Sequence, residues 1–281
     1  MVEKEISQYS VNREQHSATT MQLTIEIGLH YMALIESSID SRSITALELF
    51  TYEKVENNWY LIFQEVRLQS ILFDLPYYSK QIFINGFQQT IIPESLYTPT
   101  AAQTALTLLY GWNDMEIITD FFPLPNTNVY MVTQIPQSLQ QMLSGTFSDT
   151  LMHNSLSKQV ELALQLSANS ENYWLIQFYP GSCSIVTLQQ QQLHSAIHFC
   201  YTCTEDVIYQ IVAQLNTYTN QNIPLKVDIN GIINDSDDLY VTIKKIIPEI
   251  HWQSVLPQQK FLIEKNYYPE HYLLPFFNIT L

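Results

Sequence analysis

The cysteines of the segment Cys200-Tyr-Thr-Cys203 have the spacing that most directly suggests chemistry in this chain. Two thiols separated by two residues can exchange a disulfide or supply half of a tetrahedral zinc site. His194 and His198 precede them and would share one face of a strand, so they could complete such a site. Cys203 is predicted to lie at the start of a helix, where the helix dipole would lower its thiol pKa. The sequence has no second Cys-x-x-Cys pair, and the same residues would also suit a plain junction between a strand and a helix.

Other common catalytic patterns are absent from the sequence. Neither Ser144 nor Ser182 lies in a Gly-x-Ser-x-Gly nucleophile elbow. The cluster of Asp235, Asp237 and Asp238 lacks the spacing and the closing glutamate of a calcium-binding loop, so we interpret it as a solvated acidic loop. The sequence therefore predicts no catalytic residue, no metal site and no cofactor.

The composition is that of a folded, acidic protein. The chain has 281 residues, of which 46% are hydrophobic and 14% are charged. This length suits two domains of about 140 residues, each able to bury its own core. The net charge of −15, from 27 acidic and 12 basic side chains, would repel a phosphate backbone. We therefore expect no binding of nucleic acid through a basic face.

Cysteine usage and the ends of the chain bear on its location. An odd set of three cysteines, at positions 183, 200 and 203, cannot form a closed disulfide framework and is typical of a reducing compartment. The first eight residues lack the basic and apolar regions of a signal peptide. The sequence also lacks a run of about 18 apolar residues that would predict a membrane span. These features predict a cytoplasmic protein.

Hydrophobic periodicity predicts the same succession of elements twice, which indicates an internal duplication. Each repeat has three strands, an amphipathic helix and a further strand that ends in Asn-Gly. The elements are predicted at 22–28, 31–37, 44–52, 55–66 and 81–86 in the first repeat, and at 173–179, 184–190, 193–201, 204–218 and 225–231 in the second. We expect residues 1–20 to be a flexible arm, followed by domains at 21–168 and 169–281 that face each other across a cleft.

This succession matches a known fold family. Three strands, a helix, a strand and a helix make up the ribonuclease-H-like unit, and two units in tandem resemble the actin-like ATPase fold of actin, hexokinase and the pilus protein PilM. The segment Ile82-Phe-Ile-Asn-Gly-Phe-Gln-Gln-Thr-Ile-Ile-Pro-Glu-Ser-Leu-Tyr97, with Glu26-Ile-Gly28, is similar to a Bacteroidetes family of unknown function that has this fold. The resemblance implies an α/β fold with two ribonuclease-H-like domains, each with a mixed five-stranded sheet flanked by helices. It implies no activity.

The resemblance also implies where a nucleotide would bind. Members of the fold that hydrolyse ATP typically carry Asp-x-Gly on one hairpin of each domain. The carboxylates hold Mg²⁺ through water, and the glycines let phosphate reach backbone N–H groups. The matching segments are Glu26-Ile-Gly28 and Tyr179-Pro-Gly181, and Gly231 lies where the adenosine-side motif usually has paired glycines. In this alignment Glu26 supplies a carboxylate in the first segment, whereas Tyr179 stands at the corresponding position of the second.

We therefore expect a non-catalytic binding or scaffold module with a degenerate nucleotide site at Glu26, Gly28, Gly181 and Gly231. Its partner would be another protein or a second copy of the chain, and ATP binding is not expected. Two alternatives stay open. One is a divergent actin-like ATPase or kinase that uses Glu26 as a metal-anchoring carboxylate. The other is a redox or zinc protein built on Cys200 and Cys203.

Overall fold

A computed structural model of the protein divides into two units, each of which contains its own mixed sheet. It describes residues 1–11, 20–53, 58–111, 115–123, 128–147, 150–168, 170–217, 225–257, 260–263 and 268–280. Unit 1 comprises Met1–Ser157, Pro257–Lys265 and Ile279–Leu281, and unit 2 comprises Lys158–Leu256 and Asn266–Asn278. The units therefore divide earlier in the chain than the predicted boundary at residue 168. Two C-terminal segments also belong to unit 1.

Unit 1 contains ten strands and three complete helices among its described residues. The strands are β1 (Val2–Tyr9), β2 (Met21–Ile27), β3 (Tyr31–Ser38), β4 (Ser43–Tyr52), β5 (Ser79–Ile84), β6 (Gln88–Pro93), β7 (Met115–Pro123), β8 (Asn128–Pro136), β9 (Met152–Asn154) and β15 (Lys260–Phe261). The helices are α1 (Trp59–Gln69), α2 (Pro99–Tyr110) and α3 (Gln137–Thr146). Helix α4 (Ser155–Leu166) begins in unit 1 and continues along the chain into unit 2.

The main sheet of unit 1 has the order β1-β4-β3-β2-β5-β9, and β15 pairs with β4 as well. The pairs β2–β5 and β5–β9 are parallel, whereas β2–β3, β3–β4 and β1–β4 are antiparallel. The sheet is mixed, as the resemblance implies, but it has seven strands rather than five, because β1 and β15 join β4, β3, β2, β5 and β9. Strands β6, β8 and β7 form a separate antiparallel sheet.

Apolar sequence runs explain why these strands lie in the middle of the sheet. Every residue of β3 is buried, and so is almost every residue of β2, as expected for strands that are covered on both faces. Helix α1 packs Trp59, Ile62, Phe63 and Val66 into the same core. It begins after Asn58, whose side chain accepts a hydrogen bond from the backbone N–H of Leu61. The predicted start of this helix at residue 55 lies outside the described residues.

The N-terminal segment corrects the expectation of a flexible arm, since residues 2–9 form β1 at the edge of the main sheet. Val2 and Ile6 are buried. Lys4 forms a 2.7 Å ion pair with Glu48 of β4. The sequence pattern hides this strand because charged residues separate its two apolar anchors. Residues 12–19 of the predicted arm lie outside the described residues.

Unit 2 repeats the strand order of unit 1 in a five-stranded sheet. Its elements are β10 (Asn172–Tyr179), β11 (Ser182–Gln189), β12 (Gln192–Cys200), α5 (Thr204–Thr217), β13 (Leu225–Gly231), α6 (Asp238–Ile246), β14 (Ile250–Trp252) and α7 (Leu274–Asn278). The order is β12-β11-β10-β13-β14, with β10–β13 and β13–β14 parallel. This order and these directions match β4-β3-β2-β5-β9. Residue 218, at the predicted end of α5, lies outside the described residues.

The C-terminal segment is helical rather than extended. Residues 274–278 form the short helix α7, all of whose residues are buried. Within the described parts of the chain, no helix has the length and apolar character needed to cross a membrane.

Candidate functional site

The predicted site residues of unit 1 lie at the carboxyl ends of its parallel strands. Glu26 is the penultimate residue of β2, Asn85 directly follows β5, and Ser155 directly follows β9. Because β2, β5 and β9 are neighbours and run in the same direction, their ends meet at one edge of the sheet. Ligands of open α/β sheets usually bind at this edge. The sequence did not indicate Asn85 or Ser155, which a search for polar residues just after each parallel strand would have found.

The carboxyl group of Glu26 is fully buried, and this desolvation raises its pKa to about 8. Ser155, Tyr31 and Asn85 lie beside the group and oppose the rise. Neither carboxyl oxygen, however, has a hydrogen-bond partner of standard geometry in the part of the chain that the structure describes. Among the described residues, no basic side chain forms an ion pair with it. Without a cation beside it, Glu26 is therefore mostly protonated at neutral pH, and a divalent cation would have to displace this proton to bind the carboxylate.

The ring of Tyr31 fills the space that Gly28 leaves open. A Cβ atom on residue 28 would lie 2.2 Å from Cε1 and 2.6 Å from Cδ1 of Tyr31. The backbone N–H of Gly28 donates to the carbonyl of Tyr31 at 2.9 Å and closes the β2–β3 hairpin. The Tyr31 hydroxyl accepts a 2.7 Å hydrogen bond from the amide of Asn85. The absent side chain of Gly28 therefore makes room for a ring of the same chain.

The hairpins of the two units have loops of equal length, and this fixes which residues correspond. In unit 1, Gly28 is opposite Tyr31, with two residues between them. In unit 2, Tyr179 is opposite Ser182, again with two residues between them. Tyr179 is thus the counterpart of Gly28. The predicted alignment matched Gly181 with Gly28 instead, and the strand register corrects it.

The same register makes Gln177 the counterpart of Glu26. Glu26 is two residues before the end of one hairpin arm, and Gln177 is two residues before the end of the other. Gln177 is buried, and neither polar atom of its amide group has a hydrogen-bond partner within the described ranges. A carboxyl group and a neutral amide therefore occupy equivalent places in the two units.

Gly181 and Gly231 meet requirements of the backbone. Gly181 has a φ angle of 65° in the exposed β10–β11 turn, a conformation that favours glycine. Gly231 has a φ angle of 101°, and a Cβ atom there would lie 2.1 Å from the carbonyl oxygen of Phe178 on the neighbouring strand. Its N–H donates to the carbonyl of His271 at 2.9 Å. The fold thus accounts for both glycines without a ligand.

The C-terminal segment covers the carboxyl ends of β10 and β13 in unit 2. Phe276 packs edge-on against the ring of Tyr179, with 5.7 Å between ring centroids. The ring of His271 stacks on the ring of Trp252, with 3.6 Å between ring centroids. Its Nε2 atom lies 2.9 Å from the carbonyl oxygen of Ile233. The edge of the sheet where a ligand would usually bind is therefore packed with side chains of unit 2 itself.

The structure gives no support, within the described residues, to the alternative of a redox or zinc site at Cys200 and Cys203. Cys200 and Cys203 are exposed and free of disulfides. No cluster of three or more His, Cys, Asp or Glu side chains suited to a metal ion occurs where the structure describes the chain, which includes His194 and His198. A backbone hydrogen bond lowers the pKa of the Cys203 thiol, but the carboxylates of Glu205 and Asp206 outweigh it and raise the pKa above its usual value. The net direction of the pKa of Cys203 is therefore opposite to the lowering that the sequence predicts.

Comparison with known proteins identifies the family and the fold. The family described as protein of unknown function DUF3822 matches residues 11–250. A Bacteroides thetaiotaomicron VPI-5482 protein with an actin-like ATPase fold and unknown function superposes with a TM-score of 0.71 and 15% identity, over 84% of this chain and 91% of that chain. The PilM–PilN complex of type IV pilus biogenesis gives a TM-score of 0.60 and 13% identity, over 92% of this chain and 96% of that chain.

At these identities the likeness to solved structures shows the fold alone. No curated protein matches the sequence significantly. The family match covers most of the chain, and the similar structures bear out the predicted fold. The chain therefore belongs to the DUF3822 family of proteins of unknown function and has the actin-like ATPase fold.

Proposed function

We propose that this protein is a non-catalytic binding or scaffold module in which the nucleotide site of the actin-like fold is degenerate. The observation that carries the proposal is the packing of Tyr31 on Gly28. A phosphate needs open space beside the backbone N–H groups of such a hairpin. In this chain the nearest ring carbon of Tyr31 would lie 2.2 Å from a Cβ atom on Gly28, so the ring takes up that space.

The charge at the two carboxylate positions supports the same proposal. Glu26 has a pKa of about 8 and is mostly neutral at pH 7, and Gln177 is neutral at any pH. Mg²⁺ would therefore have to displace the proton of Glu26, and it would find no carboxylate at the position of Gln177. A Mg-nucleotide complex also carries roughly two negative charges, which the net charge of −15 would repel.

The alternative of a divergent ATPase or kinase needs Glu26 to ionise and the Tyr31 ring to move. Release of phosphate from Mg-ATP distinguishes the two functions, with the variant Glu26→Gln as the matched control. We expect the wild type and the variant to release phosphate at the background rate of the buffer. Phosphate release by the wild type that is lost in the variant would establish the enzyme instead.

The partner of such a module would be a polypeptide. PilM, which shares the fold, was solved as a complex with PilN, a protein partner. Helix α2 exposes apolar side chains at its carboxyl end, with Leu108 82% and Leu109 60% exposed. Affinity purification of tagged protein from its native cells, read by mass spectrometry, should recover one protein specifically. The double variant Leu108→Glu, Leu109→Glu tests whether this end of α2 contributes to capture, and a recovery identical to that of an unrelated tagged protein would count against the scaffold role.

We also propose that the protein works in the cytoplasm. Cys200 and Cys203 are exposed, and both are free of disulfides. Exposed thiols of this kind persist most readily in a reducing compartment. Fractionation of native cells followed by immunodetection would test the location, and recovery from a secreted or periplasmic fraction would contradict it.

A further inference from the structure

The edge strand β12 of unit 2 has few of the features that usually protect a sheet edge. It lies at the end of the sheet order and pairs with β11 alone among the described strands. Exposed edges are normally protected by charged side chains, proline or bulges. The nine residues from Gln192 to Cys200 include no Asp, Glu, Lys, Arg or Pro. One bulge lies near His194, and the strand is regular from Ser195 onward.

The register shows which backbone groups point outward. The N–H of Tyr201 donates to the carbonyl of Gly181 at 3.2 Å, so every second residue from Tyr201 back along β12 bonds to β11. The residues between them direct their N–H and C=O groups away from β11, and Ala196 and His198 are two of these. Among the described residues, no strand pairs with them on that side.

The corresponding strand of unit 1 shows what kind of strand can pair at this edge. Its β4 corresponds to β12, because Tyr31 pairs with Thr51 as Ser182 pairs with Cys200. The counterparts of Ala196 and His198 are therefore Leu47 and Leu49. These two residues are covered by β1 in antiparallel pairing, with Gln8 opposite Leu47 and Ile6 opposite Leu49. The equivalent edge of this fold thus holds an added antiparallel strand in unit 1, and none of the described strands occupies it in unit 2.

We propose that β12 pairs with β12 of a second copy of this chain, antiparallel across a two-fold axis, so that the two unit 2 sheets form one continuous sheet. The composition of β12 permits a second copy as the occupant. Two chains of net charge −15 repel each other over most of their surfaces, but β12 contains no Asp, Glu, Lys or Arg, so pairing of two β12 strands brings no acidic side chains of these strands together. A strand that supplies both donors and acceptors along one edge is also self-complementary, as a two-fold interface requires.

Sedimentation velocity tests the pairing, because an interface made mainly of one strand pair is small and should be weak. We expect a monomer–dimer equilibrium from about 1 to 100 µM protein in wild type. In the variant Ala196→Pro we expect a monomer over the same range with an unchanged thermal midpoint, since proline removes only an outward N–H. The variant Ala196→Lys, which adds a charge to the edge, should also be monomeric. It provides the test if the proline variant fails to fold.

Amide hydrogen exchange gives a second readout that is specific for the edge. The amides of Ala196 and His198 should become more protected as protein concentration rises, whereas the amide of Ile197, which bonds to β11, should be protected at all concentrations. A wild-type monomer at the highest concentration, or a dimer that persists in both variants, would overturn the proposal. This inference deepens the proposed binding role, but its test is separate, because a failure to dimerise would leave the nucleotide-binding result unchanged.

Discussion

Tyr31 lies over Gly28 so closely that a Cβ atom on residue 28 would be 2.2 Å from the ring carbon Cε1. Gly28 is a residue that the resemblance to nucleotide-binding proteins marks as functional. In this chain it allows a buried tyrosine to pack against the hairpin backbone. The hydroxyl of that tyrosine then accepts a hydrogen bond from Asn85, at the end of the next parallel strand. The space beside the β2–β3 hairpin is therefore filled by side chains of unit 1 itself.

The substitution Gly28→Ala should destabilise the protein by about 1–3 kcal/mol, because the added methyl group overlaps a ring that is itself fully buried. Urea unfolding measures the effect. Gly145→Ala is the matched control, since a Cβ atom there meets nothing within 4 Å in helix α3. The control should be neutral or stabilising by about 0.5–1 kcal/mol. Equal effects at the two glycines would show that Tyr31 does not fill the hairpin.

The substitution Glu26→Gln should remove a specific dependence of stability on pH. The pKa of Glu26 is raised from 4.5 to about 8 in the folded protein. The folded state therefore binds this proton more tightly than the unfolded state, and its contribution to stability is present below pH 4.5 and is lost as pH rises toward 8. At about 1.4 kcal/mol per pKa unit, the variant should gain about 3–5 kcal/mol relative to wild type across this window.

Denaturant unfolding of both proteins at about pH 5 and pH 9 measures this difference. The difference between the two proteins isolates Glu26, because every other titrating group is common to both. Parallel pH profiles would mean that the carboxyl group is hydrated in solution or is ionised with a partner at neutral pH.

The substitution Glu48→Gln should loosen β1 and lower stability at neutral pH by about 2–4 kcal/mol, because it leaves Lys4 without its ion-pair partner. Burial alone would raise the pKa of Glu48, but hydrogen bonds from Lys4, Ser70 and Tyr9 hold it below its ordinary value of 4.5. This contribution to stability is present above pH 4.5 and is lost as pH falls through the depressed pKa, opposite in sign to Glu26. Acid titration of the wild type should show this loss, and an identical titration of the variant would contradict it.

The thiol of Cys203 should react slowly with alkylating agents. The carboxylates of Glu205 and Asp206 raise its pKa, and only the thiolate is a nucleophile. At neutral pH its rate of alkylation by iodoacetamide, followed by peptide mass spectrometry, should be no faster than that of a cysteine in an unfolded peptide. The variant Cys200→Ser keeps Cys203 as a single target in this segment. A rate well above the peptide reference, or stoichiometric zinc in the purified protein, would restore the redox or zinc hypothesis.

The order of elements could be predicted from the sequence because it depends on local patterns. The apolar runs of β2, β3, β10 and β11 and the three- and four-residue spacing along α1 are each encoded within a short segment. Strands β9 and β14 were missed, because a strand of three residues has no periodicity to detect. Strand β1 was missed because Lys4 lies between its apolar anchors and depends on Glu48, a partner 44 residues away along the chain.

The candidate site was harder to predict, because strand register decides which residue of unit 1 corresponds to which residue of unit 2. The sequence pairs Gly28 with Gly181, since both are glycines after a strand. The hairpins pair Gly28 with Tyr179 and Glu26 with Gln177, and this requires knowing which residues face each other across each turn. The burial that raises the pKa of Glu26 likewise comes from segments distant in sequence, such as the one that carries Ser155.

Isothermal titration of the protein with Mg-ATP tests the central claim most directly, with Glu26→Gln titrated in parallel. Tyr31 fills the space beside the hairpin, and the residues at both carboxylate positions are mostly or fully neutral. We therefore expect no saturable heat of binding in either protein up to about 1 mM nucleotide. A micromolar Kd for the wild type that is lost in the variant would contradict this account. It would show that Glu26 ionises to anchor a metal and that the Tyr31 ring yields to a phosphate.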